Sequence, residues 1–219
     1  MERSREIAVK GVGSLKVSVD YVVVNLVLKE TDKNYEQGYA NFQNRVCVLQ
    51  KALVDVGFNL KEIKTKDITI STKYDSVERN GEYKRLFSGY AFSTSMLVRF
   101  DFDSKKLTSI FSSVAASGVK PEIDVDFTVK DEESVKNRLL ACVAKDAKTK
   151  ALALCEGMGV KLGKLLCINY NWDEIIIHSS TRVEYNNMPK MICACREMDF
   201  TPDDIPVEDE ASFVWEIVD

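Results

Sequence analysis

Between Val22 and Leu28 nearly every position is apolar, Asn25 being the exception, and Leu15, Val17, Val19, Tyr21 and Val23 alternate with polar neighbours before it. Alternation that passes into a solid apolar run describes a strand entering the middle of a sheet, and it predicts a strand over residues 15–29. A shorter strand precedes it at 6–12, ending at Gly11 and Gly13, which read as a turn between the two. Tyr39, Phe42, Val46, Leu49, Leu53 and Val56 then recur at alternating spacings of three and four. That is the single apolar stripe of a helix, with Thr31 or Asp32 as its N-cap and Gly57 suited to the position just past its end.

A third strand, rich in Ile and Thr, is predicted at 63–74, and Asn80-Gly81 signals a turn into a long returning strand. There Tyr90, Phe92, Thr94, Met96, Val98 and Phe100 share one face, and Gly89 marks a bulge or bend. Asp103 or Ser104 caps a shorter helix carrying Leu107, Ile110, Phe111, Val114 and Ala115, and Gly118 stops it. Glu122–Val129 alternates cleanly, with Ile123, Val125, Phe127 and Val129 inward and Glu122, Asp124, Asp126 and Thr128 outward. Asp131 caps a third helix whose buried stripe is Val135, Leu139, Val143, Ala147, Ala151, Leu154 and Met158. Glu132 and Glu133 sit where the helix dipole favours negative charge. A strand at 164–177 and a terminal one at Phe213–Val218 follow, separated by an irregular polar segment, 179–206, whose centre, Met191–Cys195, has strand character.

The resulting order, ββαββαβαββ, is α+β: two small α/β subunits sharing a long bent fourth strand, with helices on mainly antiparallel sheets. Two hairpin-like connections interrupt the βα alternation that a doubly wound parallel sheet needs. The chain reads as one domain, 1–219, with subdomains at 1–82 and 83–219.

At 219 residues, 45% apolar and 29% charged, the composition is that of an ordinary globular protein with ample core. A net charge of −4 and scattered Lys and Arg exclude a nucleic-acid partner, which needs a clustered basic face. No run of about 18 apolar residues provides a transmembrane segment. The N-terminus, Met1-Glu2-Arg3-Ser4-Arg5-Glu6, carries no tripartite export signal, so the expected address is cytoplasmic, with the periplasm as the alternative if a signal was removed.

Three pieces of sequence carry a family resemblance. Ile63-Lys64-Thr65-Lys66-Asp67-Ile68-Thr69-Ile70, then Tyr74, then Ser88-Gly89-Tyr90, is similar to the middle signature of SIMPL-domain proteins. Gly11-Val12-Gly13 with Asp20 resembles that family's G-x-G…P-D opening, Val19 standing where Pro is usual. Ala144, Asp146-Ala147, Lys150-Ala151, Leu154 and Gly159-Val160-Lys161-Leu162-Gly163-Lys164 resemble its helical signature. Each motif is mostly structural; their order and spacing over about residues 7–170 make the resemblance. It implies bacterial periplasmic or outer-membrane-associated antigens, some of them ring-forming, or an adaptor that associates with a signalling kinase. It implies no catalytic residue and no cofactor. The expectation is therefore a non-enzymatic, homo-oligomeric assembly or interaction module.

Candidate chemistry is sparse. His178, the single histidine, stands beside Ser179 and Ser180, the one place for a Ser-His arrangement, although an exposed strand-end His is the plainer reading. Cys193 and Cys195 would point to one face of an extended segment and could share a soft metal or a redox couple, with Cys167 or His178 as further ligands. Two small apolar residues on a half-buried strand is the plainer reading there. Glu122, Asp124 and Asp126 line one strand face, as a solvated face would. Self-association is expected through the Glu122–Val129 and Phe213–Val218 strands, as edges that need a partner.

Overall fold

The computed structural model describes residues 5–79, 82–171, 175–185 and 199–219. The elements are β1 (Glu6–Val17), β2 (Tyr21–Asp32), α1 (Tyr35–Asp55), β3 (Lys64–Arg79), β4 (Glu82–Asp101), α2 (Ser104–Ala116), β5 (Glu122–Thr128), α3 (Glu132–Gly157), β6 (Lys161–Tyr170), β7 (Val183–Tyr185) and β8 (Ile205–Val218). The class is α+β in the expected order, with the three-residue β7 added before the last strand. The chain folds as two units, residues 1–20, 128–180 and 203–219, and residues 21–127 and 181–202. A division near residue 82 would cut the continuous β3–β4 ladder, and the long β4 lies wholly in the second unit rather than being shared. The reason is non-local pairing: β1 runs antiparallel to β8 along its length, which puts residues 6–17 and 205–216 in one unit.

In the first unit the sheet has the order β1-β8-β6, and α3 packs on it. The Asp131 carboxylate accepts from Ser134 N–H at 2.9 Å and so caps α3. Val135, Leu139, Val143, Ala147, Ala151 and Cys155 are buried, a row at constant spacing of four, the ridge a helix lays into its neighbour. Leu154 and Met158, expected on this stripe, are exposed, because Leu154 lies about 100° around the helix from Cys155. Val9, Ala211, Phe213 and Trp215 meet the alanines of α3, and Ile177, Ile205 and Val207 meet Leu139.

Several boundaries differ from expectation. Gly11 and Gly13 are not a turn: they lie inside β1, and the break comes at Ser18–Asp20. The predicted 164–177 strand is β6, which starts and stops earlier. β8 begins at Ile205, so the segment expected to be irregular contains β7 and the first residues of β8. Pro206 lies near the start of that strand, where β1 pairs with it and β6 does not, so β8 is there an edge on one side. Thr128, expected to face solvent, is buried, and its Oγ1 donates to the Ile177 carbonyl at 2.5 Å, which satisfies the buried hydroxyl.

In the second unit the sheet order is β3-β4-β2-β5-β7, the split-βαβ arrangement of a βαββαβ chain with β7 added outside β5. Val22, Val24, Leu26 and Leu28 of β2 and Phe92, Met96, Val98 and Phe100 of β4 are buried together with Phe42, Leu49 and Leu53 of α1 and Leu107, Ile110 and Val114 of α2. Each such side chain contributes about 1.5–3 kcal/mol on leaving water. α1 is capped by Asn34, not Thr31 or Asp32, because β2 continues through Asp32 in register with Tyr90. It ends as its glycine implied. Gly57 adopts φ +103°, its N–H donates to Val54 O, and Phe58 N–H reaches back to Leu53 O. On the sheet's other face Ser95 Oγ donates to Asn25 Oδ1 at 2.6 Å, which accommodates the one polar position in the β2 run. Among the described residues no helix is long and apolar enough to cross a membrane.

Candidate interaction surface

Among the described residues, the helix layer of the second unit does not extend over β3. Cross-strand partners share a face, so Ile68 and Ile70, opposite Thr94 and Phe92, project to the side on which α1 lies. Thr94 and Phe92 are buried; Ile68 and Ile70 are exposed, Ile68 by 64%. The face continues through Thr72 to Tyr74, which pairs with Phe87.

A bulge shapes this surface. The β3–β4 register slips between Lys73 and Tyr74, where Gly89 and Phe87 are the successive partners and Ser88 is the extra residue. Gly89 has φ +146°, and a Cβ there would stand 2.5 Å from the Asp32 carbonyl oxygen, so this position requires glycine. The bulge brings Phe87 onto the aromatic face. Its ring centroid is 5.2 Å from Tyr90 and 6.0 Å from Tyr74, both edge-on.

From Tyr90 the rings continue to the first turn of α1. Tyr35 meets Tyr90 at 5.3 Å and Phe92 at 5.8 Å, and Tyr39 stacks with Tyr35 at 6.1 Å. Phe42 stacks on Phe92 at 5.8 Å and roots the series in the core. Such pairs contribute roughly 0.5–1.5 kcal/mol each beyond area burial, which holds the exposed rings in place. Arg85 lies over the Tyr74 ring at 5.2 Å, a favourable cation–π distance. The result is a band of Ile68, Ile70, Tyr74, Phe87, Tyr35 and Tyr39, each exposed by more than a third.

Among the described residues, the sequence-derived candidates form no cluster. His178 is exposed, and its neighbours are engaged elsewhere: Ser179 Oγ donates to the Asp203 carbonyl and Ser180 Oγ to the Asp203 carboxylate. Cys167 is exposed, its Sγ 3.3 Å from Asn169 Oδ1. Cys193 and Cys195, like Asn80-Gly81 and Trp172, lie outside the described residues. Glu122 pairs with Lys29 at 2.6 Å, and Asp124 and Asp126 are exposed. Among the described residues no three His, Cys, Asp or Glu side chains are grouped to hold a metal.

The two edges expected to drive association are not edges. β5 lies between β2 and β7, and β8 between β1 and β6. Sequence reasoning missed the surface that is open. Ile68, Ile70 and Tyr74 alternate with polar residues as any half-buried strand does, and only strand order shows that none of the described helices covers them.

A split-βαβ unit and a three-stranded sheet carrying a long helix define a two-unit α+β protein. The chain matches the SIMPL family, described as a protein of unknown function (DUF541), over residues 7–215, and it belongs to that family. No curated protein matches it.

Proposed function

We propose that this SIMPL-domain chain is a non-enzymatic assembly module that forms homo-oligomers through the open surface of β3 and β4. The observation that carries this reading is the exposed band running from Ile68 to Tyr39. Large apolar side chains that stay in water on both a sheet and an adjoining helix are characteristic of surfaces that are covered by protein. Aromatic residues are enriched at the centres of such interfaces, and rings already fixed by their neighbours lose little freedom on docking.

The test is a variant carrying Ile68→Glu and Tyr74→Glu. Both side chains are exposed, so the fold is expected to survive while the surface becomes charged. Sedimentation velocity should show a species of higher mass for the native chain and a species near 24.7 kDa for the variant. Retention of the native mass by the folded variant would overturn this assignment of the surface.

A further inference from the structure

The two sheets have four outer strands, and three of them are blunted. On β1 the Val12 N–H donates to the Asp146 carboxylate at 2.8 Å, and Lys150 Nζ reaches the Lys10 carbonyl at 3.4 Å, so side chains of α3 occupy its outer backbone groups. β6 has its ladder to β8 broken twice, between Leu162 and Leu165 and between Leu165 and Cys167, and its charged residues are two lysines, Lys161 and Lys164. β7 is only three residues long. Bulges, lysines and shortness are the usual means of preventing a strand from pairing with another chain. β3 has lysines and two register shifts of its own, but it is 16 residues long, its pairing is unbroken between the two shifts, and among the described residues it is bordered by β4 alone.

Within β3 the register is unbroken from Asp67 to Lys73, between shifts at Thr65/Asp67 and Lys73/Tyr74. That run, Asp67-Ile68-Thr69-Ile70-Ser71-Thr72-Lys73, is charge-complementary to its own reverse. A carboxylate stands at one end, an ammonium at the other, and small hydroxyl or β-branched residues fill the interior. Both charged residues are exposed, and among the described residues neither has an ion-pair partner.

Resting on the assembly reading above, we infer that two copies pair antiparallel along β3 with Ile70 on the two-fold axis. Asp67 of each copy then stands opposite Lys73 of the other, Ile68 opposite Thr72, Thr69 opposite Ser71, and Ile70 opposite itself. Directly opposed residues share a face, so both ion pairs form on one side of the joined sheet. On the other side, the Ile68, Ile70 and Tyr74 strips of the two copies become continuous. Neighbouring registers lack this match. Centring on Ser71 sets Asp67 against Asp75. Centring on Thr69 leaves Asp67 opposite Ser71 and Lys73 opposite Thr65. A strand from a different protein would have no reason to fit a sequence that complements its own reverse.

The experiment measures the dissociation constant of the full chain by sedimentation at low ionic strength. It compares the native protein with Asp67→Lys, Lys73→Asp and the exchange variant carrying both. Each single reversal puts like charges opposite one another twice in the pair and should weaken association roughly tenfold, while the exchange variant should return to within about threefold of native. Single variants that associate like the native chain, or an exchange variant weaker than either single one, would overturn this register and leave the assembly reading standing. A native chain that stays monomeric at every concentration would overturn both.

Discussion

A methyl group placed on Gly11 would stand 2.8 Å from the Cβ of Ala147, and closer still to the Val143 carbonyl oxygen. Gly13 faces Leu139 and Val143 in the same way. Two glycines on β1 and the Leu139–Ala147 stretch of α3 thus set one contact, in which a helix backbone lies directly against a strand. The glycines are there because the approach is close, not because the chain turns.

Gly11→Ala should therefore destabilise the protein, and Ala147→Leu should do so from the other side of the contact. Overpacking of this kind costs about 1–3 kcal/mol. Gly157, at the end of α3 with open space where a Cβ would go, provides the control, since alanine there should be neutral or favourable by about 0.5–1 kcal/mol. Denaturant midpoints of the three variants check this, and an unchanged midpoint for Gly11→Ala would contradict the packing.

The Asp146 carboxyl is held below its ordinary value by the hydrogen bond from Lys150 and then by that from the Val12 amide. A depressed carboxylate contributes stability that is present above its unfolded pKa and is lost as pH falls through the lower, folded one. Asp146→Asn should accordingly be less stable than the native chain near neutral pH. The gap should close on acidification below the ordinary value of 3.8. Unfolding curves at neutral and strongly acid pH give the comparison, and a gap that widens in acid would refute the role assigned to this carboxylate.

Replacing Cys193 and Cys195 by Ser should leave folding and oligomeric mass unchanged, as should Cys167→Ser, whose side chain is exposed. Metal analysis of protein purified under reducing conditions should find no stoichiometric ion. About one equivalent, lost in the double variant, would instead support a thiol metal site.

Much of this fold was legible because its signals are local. The stripe Phe42, Leu49, Leu53 and the cap at Gly57 located α1; Asp103 and Gly118 bounded α2; Asp131 opened α3; Gly89 marked its bulge. What was not legible depends on pairing between distant residues. Gly11 and Gly13 look like a turn until α3 is laid on them. β8 looks like a free terminal strand until β1 and β6 are found on either side. Residues 122–129 look like an edge until Val183–Tyr185 is paired with Ile123–Val125. The interaction surface was hidden for the same reason: nothing local to Ile68 and Ile70 tells that the described helices stop one strand short of them.

The most direct test of the assembly account is the mass of the native chain in solution, followed by light scattering through a micromolar dilution series. The account predicts a mass at the concentrated end that is a multiple of 24.7 kDa and falls toward that value on dilution. A mass of 24.7 kDa throughout the series would contradict it.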